Sequence, residues 1–493
     1  MAFRDRSSQA NPDTWTRLDA AGAGDCRLGG GIWLSGEPEP MIQRLVVLGA
    51  IGDLATRHLM PALAHLLSRG ELPADFSIGG VGRERMTTRD YRLLAASQLA
   101  VHASSLEPAA RDALVSCLDY VHADLEQGPD LHEALGRGRV LVYLAVPPSV
   151  YPAALSALRS SSIAAGSRIV VEKPFGEDVS SSRELTRLLH AVVDERDVFR
   201  IDHFLYHQAV QDLLALRFSS PLFEPLWSGE HIERVDITWQ ETAGVGGRVD
   251  FYDRTGALRD MVQSHLLQLL ALVAMESPAA FDERCMRDEK VKVLRHVRSL
   301  TPSEVSTTTT RGRYTAGNVE GRFLPGYVEE PGVDLSRATE TYASLRLTID
   351  LPRWHNVPFF LGTGKALGRP LRRIAVHFRE ARGAALPSSP TVLRLDMIPD
   401  RITLGMQRAG PDGLPEVEPL LLASTRPDQS LPPSARMLRD VLAGNPTLTV
   451  RDDEAEQCWR IVDSVMATWR TGVPILQDYP AGSEGPQQSF GRA

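Results

Sequence analysis

Residues 45–55 read LVVLGAIGDLA, and this stretch decides the fold. Leu45 to Leu48 have the length and apolar continuity of a strand buried on both faces. Gly49 to Ala55 then follow a G-x-x-G-x-x-A spacing. The glycines let the backbone turn tightly and let a pyrophosphate approach. A small third residue lets the next helix pack close to the strand, and the helix N-terminus attracts the anion. Strand–glycine–helix junctions are common, so the context carries the reading: a helix is predicted through Leu59, Leu63 and Leu66, and a strand at 77–81 leads to Arg83. A basic residue there can pair with the 2′-phosphate of NADP. Ile51 offers a phosphate no hydrogen bond, and Glu84 would repel one or accept from a free ribose hydroxyl, so NADP is preferred and NAD stays possible. Gly49, Ile51, Gly52, Asp53, Leu54 and Arg83 are the predicted cofactor-binding residues of this turn.

Outward from the turn, VLVYLAV at 140–146 is a further buried strand, stopped by Pro147 and Pro148, and Arg168 to Val171 begins another that ends in EKPFG. Helical patterns lie between these strands, which implies a parallel sheet covered on both faces. Residues 41–205 are therefore predicted to form an α/β Rossmann-like dinucleotide-binding domain. Beyond it, helical patterns at 205–217 and 258–275 flank a strand at Ile232–Trp239. Strands follow at Tyr342–Leu351, Arg373–Phe378 and Thr391–Met397, with helices again at 434–443 and 453–469. Runs of strands without crossover helices predict, for residues 206–493, an α+β domain with a large, mainly antiparallel sheet for substrate binding and dimerisation. Residues 1–40, rich in Gly, Ala, Asp and Ser, read as a flexible N-terminal extension.

The 493 residues are 43% hydrophobic and 24% charged with a net charge of −8, a composition that disfavours nonspecific nucleic-acid binding. A local basic pocket can still hold an anionic substrate. Cys26, Cys117, Cys285 and Cys458 are scattered, show no metal-ligand spacing and suit reduced thiols in a cytoplasmic protein. No metal site is expected. The N-terminus has no apolar signal core, and no run approaches the roughly 20 apolar residues of a membrane span.

Seven segments in order carry a resemblance: LVVLGAIGDLA, YLAVPPSVY at 143–151, EKPFG at 172–176, RIDHF at 200–204, RDMVQSHLLQ at 259–268, VPFFLGTGKAL at 357–367 and YPAGSEGP at 479–486. Together they resemble glucose-6-phosphate dehydrogenases over roughly residues 41–490. The resemblance implies hydride transfer from C1 of a hexopyranose to NAD(P)+, giving the 1,5-lactone, in a homodimer. It maps the base onto His265 and its carboxylate partner onto Asp202. A neutral imidazole suits removal of the C1 hydroxyl proton, and the acid orients the ring and stabilises the imidazolium. Lys173 maps onto a lysine touching both sugar and cofactor, Pro147 and Pro148 onto the cofactor-side loop, and Glu241, Asp260 and Lys365 onto sugar-binding positions. Val262, Leu266, Leu269 and Val273 recur at helical spacing and should face the core.

The pattern breaks where the family holds the 6-phosphate with histidine, tyrosine and lysine. Here the positions are His203, Phe204 and His207, and Pro370 stands where another cation is usual, beside Arg369. Phe204 has no phenolic donor, and His207 titrates where lysine would not. The substrate therefore reads either as glucose 6-phosphate held by His203, His207 and Arg369, or as an unphosphorylated or modified hexose. Two other functions stand beside these: a catalytically weak homologue that binds a ligand or partner, and a sugar dehydrogenase acting at another ring carbon.

Overall fold

The computed structural model describes residues 42–380, 386, 390–425 and 431–487; the expected N-terminal extension lies outside them. Six strands, β1 (Arg44–Leu48), β2 (Ser77–Gly82), β3 (Leu118–His122), β4 (Val140–Leu144), β5 (Arg168–Glu172) and β6 (Val198–Ile201), form a wholly parallel sheet in the order β3-β2-β1-β4-β5-β6. Leu45–Leu48 and all of β4 are buried, as a sheet sandwiched by helices requires. The order reverses between β1 and β4, the place where open α/β sheets bind ligands. Because all six strands run the same way, the residues that follow β1, β4, β5 and β6 collect along one edge: Gly49, Ala145, Lys173 and Asp202.

β3 and β6 are the two edges of this sheet, and both are absent from the strands expected from sequence. Each is short and carries a charge, Asp119 or Arg200, in place of the continuous apolar run that marks β1 and β4. Asp119 takes a bidentate bond from Arg44 of β1 at 2.9 Å.

The second sheet has nine strands: β7 (Ile232–Gln240), β8 (Thr309–Thr315), β11 (Tyr342–Leu347), β12 (Phe359–Gly364), β13 (Leu371–Phe378), β14 (Val392–Met397), β15 (Asp400–Ala409), β16 (Val417–Thr425) and β17 (Gln477–Pro480), with β9 (Gly317–Val319) and β10 (Arg322–Leu324) as a separate hairpin. Their order is β16-β15-β14-β13-β7-β12-β11-β8-β17, antiparallel except at β7–β12 and β8–β17. The mainly antiparallel expectation holds. The strand expected through Leu351 stops at Leu347, and Ile349 makes an isolated bridge to Val297.

Two helical segments set up the site. After β6 a 3-10 turn (His203–Tyr206) leads into the helix Gln208–Phe218. Farther on, the helix Val249–Ala257 breaks at Gly256, whose φ is +69° and where a Cβ would lie 2.4 Å from Glu340 Oε1. The Glu340 carboxylate instead accepts from the Leu258 amide at 2.9 Å and so caps the next segment. That segment opens as a π-helix, Leu258–Leu266, and continues as the α-helix Leu267–Ala274 against the second sheet. Val262, Leu266, Leu269 and Val273 are fully buried along it, as the helical spacing predicts. π-turns of this kind favour functional positions, and this one carries Asp260 and His265.

Candidate functional site

The glycine turn forms a backbone cradle. Gly49 has φ +89°, and a Cβ there would lie 2.5 Å from Ala145 O at the end of β4. Its amide donates to Val81 O at 2.9 Å, and Gly52 O accepts from both the amide and the hydroxyl of Thr56 at 3.0 Å. The small residues leave room for a diphosphate against the start of the following helix, so the turn fits a dinucleotide. Asp53 is exposed and paired with Arg57 at 3.2 Å. Arg83, just past β2, is 79% exposed and 3.5 Å from Glu84, so it is open to a 2′-phosphate with a carboxylate competing beside it. Pro147 ends β4 and leads into the 3-10 turn Pro148–Val150.

At the far side of the same edge lies a buried acid–base pair. Asp202 caps the turn after β6, accepting from the Phe204 amide at 2.9 Å through Oδ1. The same oxygen lies 2.6 Å from His265 Nδ1, and each side chain is 1% exposed. Burial pushes His265 well below the ordinary 6.5, helped by Lys173 and His207 and opposed by Asp260. The imidazole is therefore neutral near neutral pH, the form a base requires. Burial pushes Asp202 upward, opposed by His203, the Phe204 amide and Lys173. Its Oδ2 is buried and has no partner among the described residues. Asp202, His203 and His265 bring ligand atoms within 4.8 Å of one another, but Nδ1 of His265 is already committed to Asp202, an arrangement organised for moving a proton.

Lys173 reaches from the end of β5 to the π-turn, donating to both Asp260 O and Asp260 Oδ1 at 2.9 Å. Burial opposes ionisation of Asp260, yet the charge and hydrogen bond of Lys173, joined by His265 and Lys365, hold the carboxyl down to about 2. The neighbouring Glu172, not among the predicted site residues, accepts from the Tyr143 hydroxyl through its carboxylate and from Tyr151 through its carbonyl. Burial pushes its carboxyl up to about 7.

Beside this cluster is a cavity of about 300 Å³ lined by Glu241, Thr242, Arg248, Tyr252, Lys365 and Arg372, among others. Lys365 and Glu241 pair across it at 2.5 Å, and Trp239 Nε1 donates to Glu241 at 3.2 Å. Lys365 also lowers Asp260, so the two groups of predicted residues share one electrostatic neighbourhood.

Aromatic rings join them. Phe204 stacks on His265 with centroids 3.8 Å apart at 4°, and Trp239 packs on Phe204 at 4.0 Å. The His203 ring meets His265 edge-on at 5.2 Å, and His207 lies 5.8 Å from Trp239. His207 is half-buried, and burial pushes it down to about 4. His203 is pushed down by the same cause, helped by His265 and opposed by Asp202.

Trp239 and Arg372 escape the sequence reading. Trp239 had a signal: two residues before Glu241, it shares that residue's face of the chain. Arg372 had none, since its place depends on strand pairing. Arg369, expected beside the phosphate, is 74% exposed and 4.0 Å from Glu484.

The glucose-6-phosphate dehydrogenase NAD binding domain matches residues 46–212, and the glucose-6-phosphate dehydrogenase C-terminal domain matches residues 214–491. The chain is 39% identical to the glucose-6-phosphate 1-dehydrogenase of Gluconobacter oxydans, over 90% of this chain and 94% of the relative. It is 38% identical to that of Rhizobium meliloti at the same coverages. Among solved structures, the glucose-6-phosphate 1-dehydrogenase of Mycobacterium avium superposes with a TM-score of 0.80 at 33% identity, covering 91% of this chain and 96% of the other. A glucose-6-phosphate dehydrogenase in complex with glucose 6-phosphate gives 0.81 at 28% identity, covering 90% and 96%.

Proposed function

The chain belongs to the glucose-6-phosphate dehydrogenase family, NAD(P)-dependent dehydrogenases acting on a CH–OH group, and from that premise we propose that its substrate is glucose 6-phosphate, oxidised at C1 to the 1,5-lactone. The observation that carries this is the buried 2.6 Å contact between Asp202 and a neutral His265.

NADP+, held by Gly49, Ile51, Gly52, Asp53, Leu54, Pro147, Pro148 and Arg83, supplies the hydride acceptor when bound. His265 takes the C1 hydroxyl proton at Nε2 as the C1–H bond breaks, and the C1–O bond becomes the lactone carbonyl. Asp202 keeps Nδ1 protonated, fixing which nitrogen is the base, and stabilises the imidazolium that forms. Lys173, anchored by Asp260, stands between the glycine cradle and the sugar. Glu241, Asp260 and Lys365 bind sugar hydroxyls, and His203 and His207 face the 6-position.

The same proposal divides the chain near residue 205 into nucleotide-binding and substrate-binding parts, which the 46–212 and 214–491 matches support. It includes a homodimer through the second sheet, supported by exposed Met406, Leu421 and Leu422 on β15 and β16. It also includes a cytoplasmic location, supported by the free thiols of Cys117, Cys285 and Cys458. No helix among the described residues is long and apolar enough to cross a membrane.

Initial rates at 340 nm with glucose 6-phosphate and glucose, each crossed with NADP+ and NAD+, test the proposal. The expected kcat/KM for the phosphate ester exceeds that for glucose by about a thousandfold, or ~4 kcal/mol. Equal values for the two sugars would overturn the assignment of the substrate.

A further inference from the structure

A phosphate monoester needs a cation, and the positions beside Asp202 do not hold one. Phe204 is apolar, and His207 is neutral near neutral pH. Lys365 is matched by Glu241 at 2.5 Å.

Arg372 and Arg248 are the two other cations lining the cavity, and Arg248 lies over Phe251 at 5.5 Å. Arg372 stands on β13 directly opposite Trp239 of β7 in the strand register, and its Cζ lies 5.0 Å over the indole. Trp239 packs on Phe204, which stacks on His265. Four planar groups thus run in one column from the candidate base to a guanidinium. Arg372 lines the same cavity as Glu241 and Lys365. It lies close enough to His207 to disfavour a second positive charge there. Its Nε is buried without a hydrogen-bond partner among the described residues, and Glu241, whose pKa its charge lowers, is hydrogen-bonded to Lys365 instead. A buried, unpaired guanidinium nitrogen is costly unless an anion completes it.

We infer that Arg372 selects the phosphorylated sugar, presenting its guanidinium fork to the phosphate while Trp239, Phe204 and His265 align the rest of the hexose with the base. The inference rests on the proposed reading of the site and adds the cation that this reading needs. The planar fork can take two phosphate oxygens at once, which a point charge cannot. Stacking on Trp239 fixes the fork's plane before the ligand arrives.

The test compares the full-length wild type with Arg372→Leu and Arg372→Lys, folding being checked by circular dichroism. Steady-state kinetics should show Arg372→Leu raising KM for glucose 6-phosphate about 100-fold. KM for NADP+ should hold, and Arg372→Lys should restore part of the loss. The ratio of kcat/KM for glucose 6-phosphate to that for glucose should fall by a similar factor. An unchanged KM for the phosphate ester in a folded Arg372→Leu protein would overturn the inference.

Calorimetric titration with inorganic phosphate separates this result from the fate of the proposed substrate. Binding by the wild type and its loss in Arg372→Leu uphold the anion site whichever sugar is turned over. Equal binding by both proteins, or none by either, overturns it.

Discussion

The two ends of the proposed sugar site are built on different principles. At the C1 end, Asp202 and His265 are almost fully buried and locked at 2.6 Å, and Lys173 is tied to Asp260 by two bonds at 2.9 Å. At the far end, Phe204, His207 and Trp239 meet through ring contacts, and Arg372 reaches them from a different strand. Proton transfer needs one acid and one base at one separation and orientation, so substitution there is expensive. Anion recognition needs only a positive charge within reach, and β13 can supply it as well as the turn after β6. The contrast suits the resemblance, which matches at Asp202 and His203 in the turn after β6 and departs at Phe204 and His207.

The largest loss of activity is expected at the base. His265→Asn should lower kcat/KM about 10⁴-fold, the upper part of the range for a positioned general base. A loss under tenfold, measured with saturating NADP+, would remove His265 from the chemistry. Asp202→Asn should cost somewhat less, about 10³-fold, because the imidazole remains but loses its orienting carboxylate. The double variant should be scarcely worse than His265→Asn alone, since the two side chains act as a unit. Additive losses would show that they work independently.

The far end should respond more gently. Phe204→Tyr restores a phenolic donor beside His207, and one added hydrogen bond, net about 1 kcal/mol, should lower KM for glucose 6-phosphate roughly fivefold. An equal fall in KM for glucose would place the hydroxyl away from the 6-position.

The smallest expected effect is a displacement on the pH axis. Activity needs the neutral ring, so kcat/KM should fall on the acid side along a limb below 6.5, where burial and Lys173 hold His265. The groups facing the ring are Asp202, Lys173, Asp260, His203 and His207. Lys173→Gln removes a charge that lowers His265 and leaves Asp260, which raises it, so the limb should move to higher pH. A limb that stays in place in the pH profile of kcat/KM would mean that burial alone sets it.

Much of the first sheet was legible because buried parallel strands are short apolar runs with hard stops. LVVL before Gly49 and VLVYLAV before Pro147 could be read directly. The edge strands LDYVH and VFRI could not, since a strand paired on one side tolerates Asp119 or Arg200. The candidate acid and base were legible only through the resemblance. Nothing local to Asp202 names a histidine 63 residues away, and an isolated His265 would read as a core histidine.

Which chemistry the chain can attempt is written in its residues. A glycine turn, an Asp, a Lys and a His are groups whose reactivity travels with the residue, and their order along the chain identifies the family. Which charges reach the same few ångströms depends on the folded chain. Arg369 and Arg372 are both near Lys365 in sequence, yet one points to Glu484 in solvent and the other covers Trp239. That choice follows from the β7–β13 register, in which Arg372 pairs with Trp239 and Arg369 precedes the strand. Strand pairing is set by packing across the whole sheet, and no window of sequence around Arg372 contains that information.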